Sequence, residues 1–437
     1  MAKRPKSAGE KFLTGLALTL GVLFALPHLG VLVAAFSGST DTLAALFDTV
    51  LLNYAGTTLW LVSLVGFFTF VLGTGTAWLV SMTEFRGRRI FEIALVLPLA
   101  FPAYVLAYAY THLLDHPGIV QSTLRAVTGL GPRDYWFPEI RSLGGATVML
   151  TLVLYPYVYL LARAAFLGQG ATTFHAARAL GRSPWNAFRT VCIPMARPAI
   201  ASGVLLAAME TIADFGTVSY FGVQTFATGI YTSWFTLADR AAAAQLALGL
   251  LVIALFLAIL ERTSRGAARY DSARVSQRLA RIPLSGGANV AATAFCALPV
   301  LFGVIIPTVA LLTMAIGSEQ NLFGRRYLAF TSNSLTLAGT AAGLTVLGAI
   351  VLGSIQRVAP SFLTRSSLYA ARLGYAVPGG VIAVGLIVPF AAFDNALDAA
   401  MRAQFGISTG LLVTGSIWLL VGAYMIRFSA AALGAYE

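Results

Sequence analysis

Apolar residues in this chain come in long blocks separated by short polar segments. Ten blocks stand near 12–36, 56–82, 91–113, 144–164, 198–218, 241–261, 289–316, 334–356, 371–392 and 408–428. A helix needs about 20 apolar residues to cross the hydrocarbon core of a bilayer, so each block predicts a membrane-spanning helix. The two-residue alternation of an outer-membrane barrel is absent. The pattern predicts an all-α polytopic membrane protein with about 10 transmembrane helices. The first block is about twice as long as the apolar region of a secretory signal, which predicts a retained anchor.

Composition agrees with the pattern. Of 437 residues, 58% are hydrophobic and 11% charged, against about 25% charged in a soluble domain. That excludes a water-soluble enzyme and a disordered chain. A net charge of +12 raises the question of nucleic acid. Lysine occurs only at Lys3, Lys6 and Lys11, and the arginines are scattered between the apolar blocks. A nucleic-acid protein gathers such charge on one face, so the partner is the lipid bilayer and not nucleic acid. With the N-terminus inside, 22 basic residues fall on the inner side and seven on the outer. The positive-inside rule then puts the N-terminus on the cytoplasmic side. Cys192 sits in a polar segment and Cys296 in an apolar block, which predicts neither a disulfide nor a metal site. His28, His112 and His116 are scattered and predict packing or interface roles.

The chain also repeats itself. The arginine-rich stretch 262–288 separates a first half, 1–261, from a second, 289–437. At an offset of 276, Thr58-Leu59 meets Ser334-Leu335 and Pro102 meets Pro378. Both prolines fall inside an apolar block after a basic inner loop. Interior proline removes a helix hydrogen bond and kinks the helix. Matched breaks in parallel repeats point to a transport path. The second half stops short: Tyr424 and Arg427 occupy roughly the place of Tyr159 and Arg163 in the first. The segment matching 165–197 and two further spans are then expected beyond residue 437.

The stretch from Phe174 to Pro194 carries the most chemistry. Phe174–Leu180 predicts a short helix. Gly181 suits a left-handed stop, Ser183 caps a second helix with Pro184 at its first position, and Pro194 ends it. Ala176, Leu180, Trp185 and Phe188 are then presented at the inner surface. An apolar patch rimmed by arginine reads as a protein-docking site; an amphipathic loop lying on lipid headgroups is the alternative.

This stretch resembles the signature of ABC-transporter permeases, which runs Glu-Ala-Ala, three residues, Gly, nine residues, Ile-x-Leu-Pro. Here it reads His175-Ala176-Ala177, Gly181, then Val191-Cys192-Ile193-Pro194. Residues 207–218, 220–223, 228–231 and Trp234 resemble the ferric-iron uptake permeases in particular. The resemblance covers the whole chain. It implies two tandem type-1 permease repeats, the second truncated before its coupling loop. It also implies a cytoplasmic ABC ATPase dimer docked on the loop and a periplasmic ferric-ion-binding protein on the outer face. His175 departs from the family glutamate.

No lysine follows Lys11, so the chain lacks a phosphate-binding Gly-Lys-Ser/Thr loop. ATP and Mg would belong to the partner ATPase, and this chain would hold no cofactor. Glu210 and Asp214, four apart, fall on one helix face. Acids at membrane depth face a bundle interior or a water-filled cavity. With Pro102 and Pro378 they are candidates for the translocation pathway; pairing with other helices is the alternative. A permease of the same fold for thiamine, a polyamine or an anion, and an ion-coupled secondary transporter, remain open.

Overall fold

The computed structural model describes residues 8–37, 44–266, 281–318 and 324–436. Lys3, Lys6 and the linker arginines Arg269, Arg274 and Arg278 lie outside the described residues. The first half begins with α1 (Ala8–Phe36) and α2 (Leu52–Met82). A two-residue strand β1 (Thr83–Glu84) follows, then α3 (Arg88–Ala94), α4 (Ala103–Leu114), α5 (Ile119–Thr128) and α6 (Leu143–Ala165). Next come α7 (Ala171–Ala179), α8 (Pro184–Ala187), α9 (Ile193–Ala213), α10 (Gly216–Tyr220), α11 (Phe226–Tyr231) and α12 (Arg240–Gly266). The linker holds β2 (Ile282–Pro283) and the start of α13 (Gly286–Val300), and the second half continues with α14 (Ile306–Ile316), α15 (Arg325–Val358), α16 (Phe362–Leu373), α17 (Gly379–Phe405) and α18 (Ile417–Tyr436). The protein is an all-α polytopic membrane protein. Helices dominate because lipid offers no partner for a free backbone N–H or C=O.

Among the described residues, nine helices are long and apolar enough to span a bilayer, or ten if one broken pair counts as a span. That pair, Arg88–Ala100 and Ala103–Thr128, bends by 93°. It replaces the straight span expected at 91–113. The matched prolines Pro102 and Pro378 are not inside helices. Pro102 is the N-cap of α4 and Pro378 the N-cap of α17, each just after a short 3-10 turn. An N-cap needs no intrahelical N–H bond, so proline starts these helices instead of kinking them. For the same reason the span expected at 371–392 begins at Gly379. Pro194 likewise does not end a helix. The helical course runs from Pro184 to Ala213 through a wide turn at Phe188–Cys192, with Pro194 in the first turn of α9.

The described residues divide into two compact units. One draws on Met1–Leu52, Gly229–Leu255 and Gln320–Glu437, the other on Asn53–Thr228 and Phe256–Glu319. The sequence halves, 1–261 and 289–437 with the linker 262–288, divide the chain differently. Each unit takes its opening helix from the other half. In the first unit α1 packs against α16 and α17. A Cβ on Gly30 would run into the Gly385 carbonyl, so only glycine lets these two helices meet. In the second unit α13 packs on α3 and α14 on α4. Tyr110 donates to the Phe302 carbonyl at 2.7 Å. Hydrophobic blocks report that a helix spans, but surface fit decides which helices it meets.

In the first unit the last span also shifts, from the expected 408–428 to Ile417–Tyr436. Two carboxylates on α17 hold the preceding segment as a loop. Asp394, fully buried, accepts from the Val413 and Thr414 amides, the latter at 2.7 Å. Asp398 accepts from the Thr409 and Gly410 amides at 2.7 and 2.9 Å.

Candidate functional site

The second unit holds the conspicuous site. At the end of α6, Phe166 is fully buried. The chain then forms α7, turns at Gly181 and enters α8. Gly181 has φ +84°, the left-handed conformation a side chain resists. The Ser183 hydroxyl accepts from the Asn186 amide at 3.2 Å, capping α8, and Pro184 occupies its first position. The Arg182 guanidinium donates to the Thr190 hydroxyl at 2.8 Å and Arg178 donates to the Arg182 carbonyl at 2.5 Å, which braces the turn. The helix–turn–helix expected from the sequence is present.

Its side chains sort into two sets. Phe174, Ala177, Ala187 and Phe188 are buried in a core with Phe166, Tyr155, Tyr159 and Cys192. The Phe188 ring lies 4.6 Å from that of Trp78 and 5.5 Å from that of Trp185. Phe188 is therefore an anchor and not the surface residue expected, because the wide turn at 188–192 rotates it inward. Cys192, expected in a polar segment, is buried for the same reason. Ala176, Leu180 and Trp185 do face outward, Leu180 at 84% exposure and Trp185 at 59%. Arg189 stacks over the Trp185 ring at 5.9 Å. His175 is half-buried, edge-on to the Phe174 ring at 5.6 Å. Pro194 lies half-buried below the loop.

A charge network next to this loop was missed by the sequence reading. Arg163, in the last turn of α6, pairs with Glu92 on α3. Glu92 also holds Arg88 at 3.3 Å, and Arg88, only 6% exposed, reaches Glu84 at 3.1 Å. Arg281 approaches Glu84 at 3.9 Å and donates to the Ser81 carbonyl at 3.3 Å. There β1 and β2 run parallel, with Thr83 opposite Ile282. The spacing Glu84, Arg88, Glu92 is a visible i, i+4 series. Its partners Arg163 and Arg281 come from distant sequence and gave no local signal.

The remaining candidates fall at the chain breaks. α9 ends at Ala213, and Asp214 leaves the helix in extended conformation. Glu210 and Asp214 are therefore not two residues of one continuous helix face. The Asp214 carboxylate accepts from the Thr217 amide at 3.0 Å, the Val218 amide at 3.2 Å and the Thr217 hydroxyl at 3.1 Å, which caps α10. Glu210 is half-buried one turn earlier. α10 packs against α4, and a Cβ on Gly216 would lie 3.0 Å from the Tyr104 Cβ. The structure thus brings the break at Pro102 next to the break at Asp214. Pro378 belongs to the first unit and is not part of this site. Among the described residues, no three His, Cys, Asp or Glu side chains gather as a metal site.

These features define a multi-pass membrane protein with proline-broken spans and a capped helix–turn–helix seated on its core by aromatic anchors. No family model matches the chain. The Fe(3+)-transport system permease protein FbpB 2 of Haemophilus influenzae is 28% identical over 385 residues, which cover 86% of this chain and 71% of that protein. The molybdenum transport system permease protein ModB of Azotobacter vinelandii is 31% identical over 166 residues, 38% of this chain and 70% of the relative. The sulfate transport system permease protein CysW of Escherichia coli is 29% identical over 223 residues, 49% of this chain and 72% of the relative. The chain belongs to the permease family of ABC transporters.

Proposed function

We propose that this chain is the inner-membrane permease subunit of an ATP-driven importer of ferric iron. A periplasmic binding protein delivers the ion, and a cytoplasmic ATPase dimer docks on the loop Phe174–Pro194. The N-terminus is cytoplasmic, on the charge asymmetry of 22 to seven. The observation that carries the reading is the loop itself. Exposed Leu180 and Trp185 form a docking face, while buried Phe174 and Phe188 tie it to the helix core. A push on the loop reaches α6 and α9 through those anchors. His175, where the family has glutamate, contributes to the docking face.

The substrate reading rests on chemistry at the adjoining breaks and on the long match to an Fe(3+)-transport permease. Glu210, Asp214 and the exposed Tyr104 offer hard oxygen donors, which suit a hard cation. With Pro102 at the start of α4, they line or gate the path. The shorter matches to molybdenum and sulfate permeases favour a second reading, an oxyanion permease. Carboxylates beside the path oppose it.

Uptake of radiolabelled ferric iron into vesicles carrying the chain, its ATPase and its binding protein tests the reading. Uptake that needs both partners and ATP supports it. ATP-dependent uptake of molybdate or sulfate with no iron uptake replaces it by the oxyanion reading.

A further inference from the structure

The second unit has a groove of about 730 Å³ between α2, α9 and α12. That is within the size range of pockets that bind small ligands. Its walls are apolar, built from Phe67, Phe70, Val204, Leu205 and Leu257. All three helices are membrane spans, so the groove lies in the bilayer. Among the described residues one charge lines it: Arg197, at the end where α9 joins the helix–turn–helix loop. Arg197 is exposed and makes no hydrogen bond or ion pair among the described residues. Ser264, close to the last turn of α12, lines the same end.

An arginine on a membrane helix is costly unless it is paired or reaches the interface. Here protein supplies apolar walls and a cation, but no anion. The missing component is an amphiphile with an anionic head and a hydrocarbon tail. We propose that this groove binds an anionic phospholipid, its phosphate at Arg197 and one acyl chain between α2, α9 and α12. Basic sites between membrane helices at an interface bind acidic headgroups in this way. Assignment to the cytoplasmic leaflet rests on the orientation proposed above; binding itself does not.

The site adjoins the helix–turn–helix loop to which the docking role is proposed above. α9 is continuous with α8, so a lipid wedged beside α9 packs against the helix that bears the loop.

Native mass spectrometry of the full chain with added phosphatidylglycerol or phosphatidylcholine tests the site. The wild type is expected to retain phosphatidylglycerol preferentially. Arg197→Gln should weaken that retention about fivefold, the effect of one basic residue at a charged membrane surface, and leave phosphatidylcholine unchanged. Leu205→Trp, which fills the groove and keeps the arginine, should weaken both lipids. Equal retention of phosphatidylglycerol by wild type and Arg197→Gln overturns the proposal. So does displacement by inorganic phosphate, which would make the ligand a free anion. A cysteine at Val204 that crosslinks to another protein chain would overturn it too, since the groove would then hold a helix. Circular dichroism of each variant separates misfolding from lost binding.

Discussion

Pro102 and Pro378, 276 positions apart, begin membrane helices in the same backbone conformation, with φ −62° and ψ 135° in one and φ −58° and ψ 145° in the other. Each follows a short helix and a 3-10 turn. The correspondence extends to the carbonyl seven residues earlier. Tyr155 donates its hydroxyl to the Leu95 carbonyl at 2.8 Å, and Ser429 donates to the Ala371 carbonyl at 2.7 Å. A bend frees carbonyls that lipid cannot satisfy, and in both repeats a facing helix supplies the hydroxyl.

The N-cap position sets the response to Pro102→Ala and Pro378→Ala. A proline inside a helix would be destabilising, and alanine there would add up to about 3 kcal/mol of stability. At these caps proline is already in its preferred conformation, so alanine only loosens the unfolded chain. Each substitution should lower stability by about 0.4–1 kcal/mol. Denaturant unfolding in detergent gives the sign, and a stabilised variant would contradict the cap assignment.

Glu92 joins α3 to α6 through Arg163 while also holding nearly buried Arg88. Glu92→Gln keeps the shape and removes the charge from between two guanidinium groups. The loss should be about 1.5–3 kcal/mol, the range for hydrogen bonds to charged groups. Glu84→Gln, at an exposed carboxylate, should cost much less. Unfolding midpoints of the two variants provide the comparison; equal losses would mean that the Glu92–Arg163 link carries no special weight.

The spans, the capped loop and the repeat were legible because each leaves a local trace. Long apolar runs, Gly181 with Ser183-Pro184, and two prolines at one offset are read directly along the chain. The inward turn of Phe188 was not legible, because a single wide helical turn changes which face a residue occupies without any change in composition. The end of α9 was hidden for a related reason. Apolar residues continue past Ala213, and only the hydrogen bonds of Asp214 reveal that a new helix has begun. The Glu92–Arg163 pair and the exchange of opening helices depend on contacts between distant segments, which a single sequence does not record.

Phe188 and Trp185 are three residues apart and stack on each other, yet they should respond oppositely. Phe188→Ala empties a buried site against Trp78 and Phe166 and should cost about 3–5 kcal/mol. Trp185→Ala removes a mostly exposed ring, and stability should change by roughly 0.5 kcal/mol or less. Its effect should appear in docking: less ATPase retained on affinity-purified permease and slower ATP-driven uptake. A Trp185→Ala protein that holds its ATPase as well as wild type removes this ring from the docking face.

Asp214 separates a capping role from a pathway role. Its Oδ1 accepts both backbone amides, from Thr217 and Val218, whereas Oδ2 takes the Thr217 hydroxyl. Asp214→Asn can keep the amide bonds through its one carbonyl oxygen, so α10 should remain capped while the charge is gone. Asp214→Ala loses the cap as well, at about 0.5–2 kcal/mol. Under the cation-path reading, both variants and Glu210→Gln should transport ferric iron poorly, although Asp214→Asn stays as stable as wild type. Uptake measured beside unfolding midpoints distinguishes the roles. Normal transport by Asp214→Asn, with loss only in Asp214→Ala, would reduce Asp214 to a helix cap and leave Glu210 as the one acidic candidate for the path.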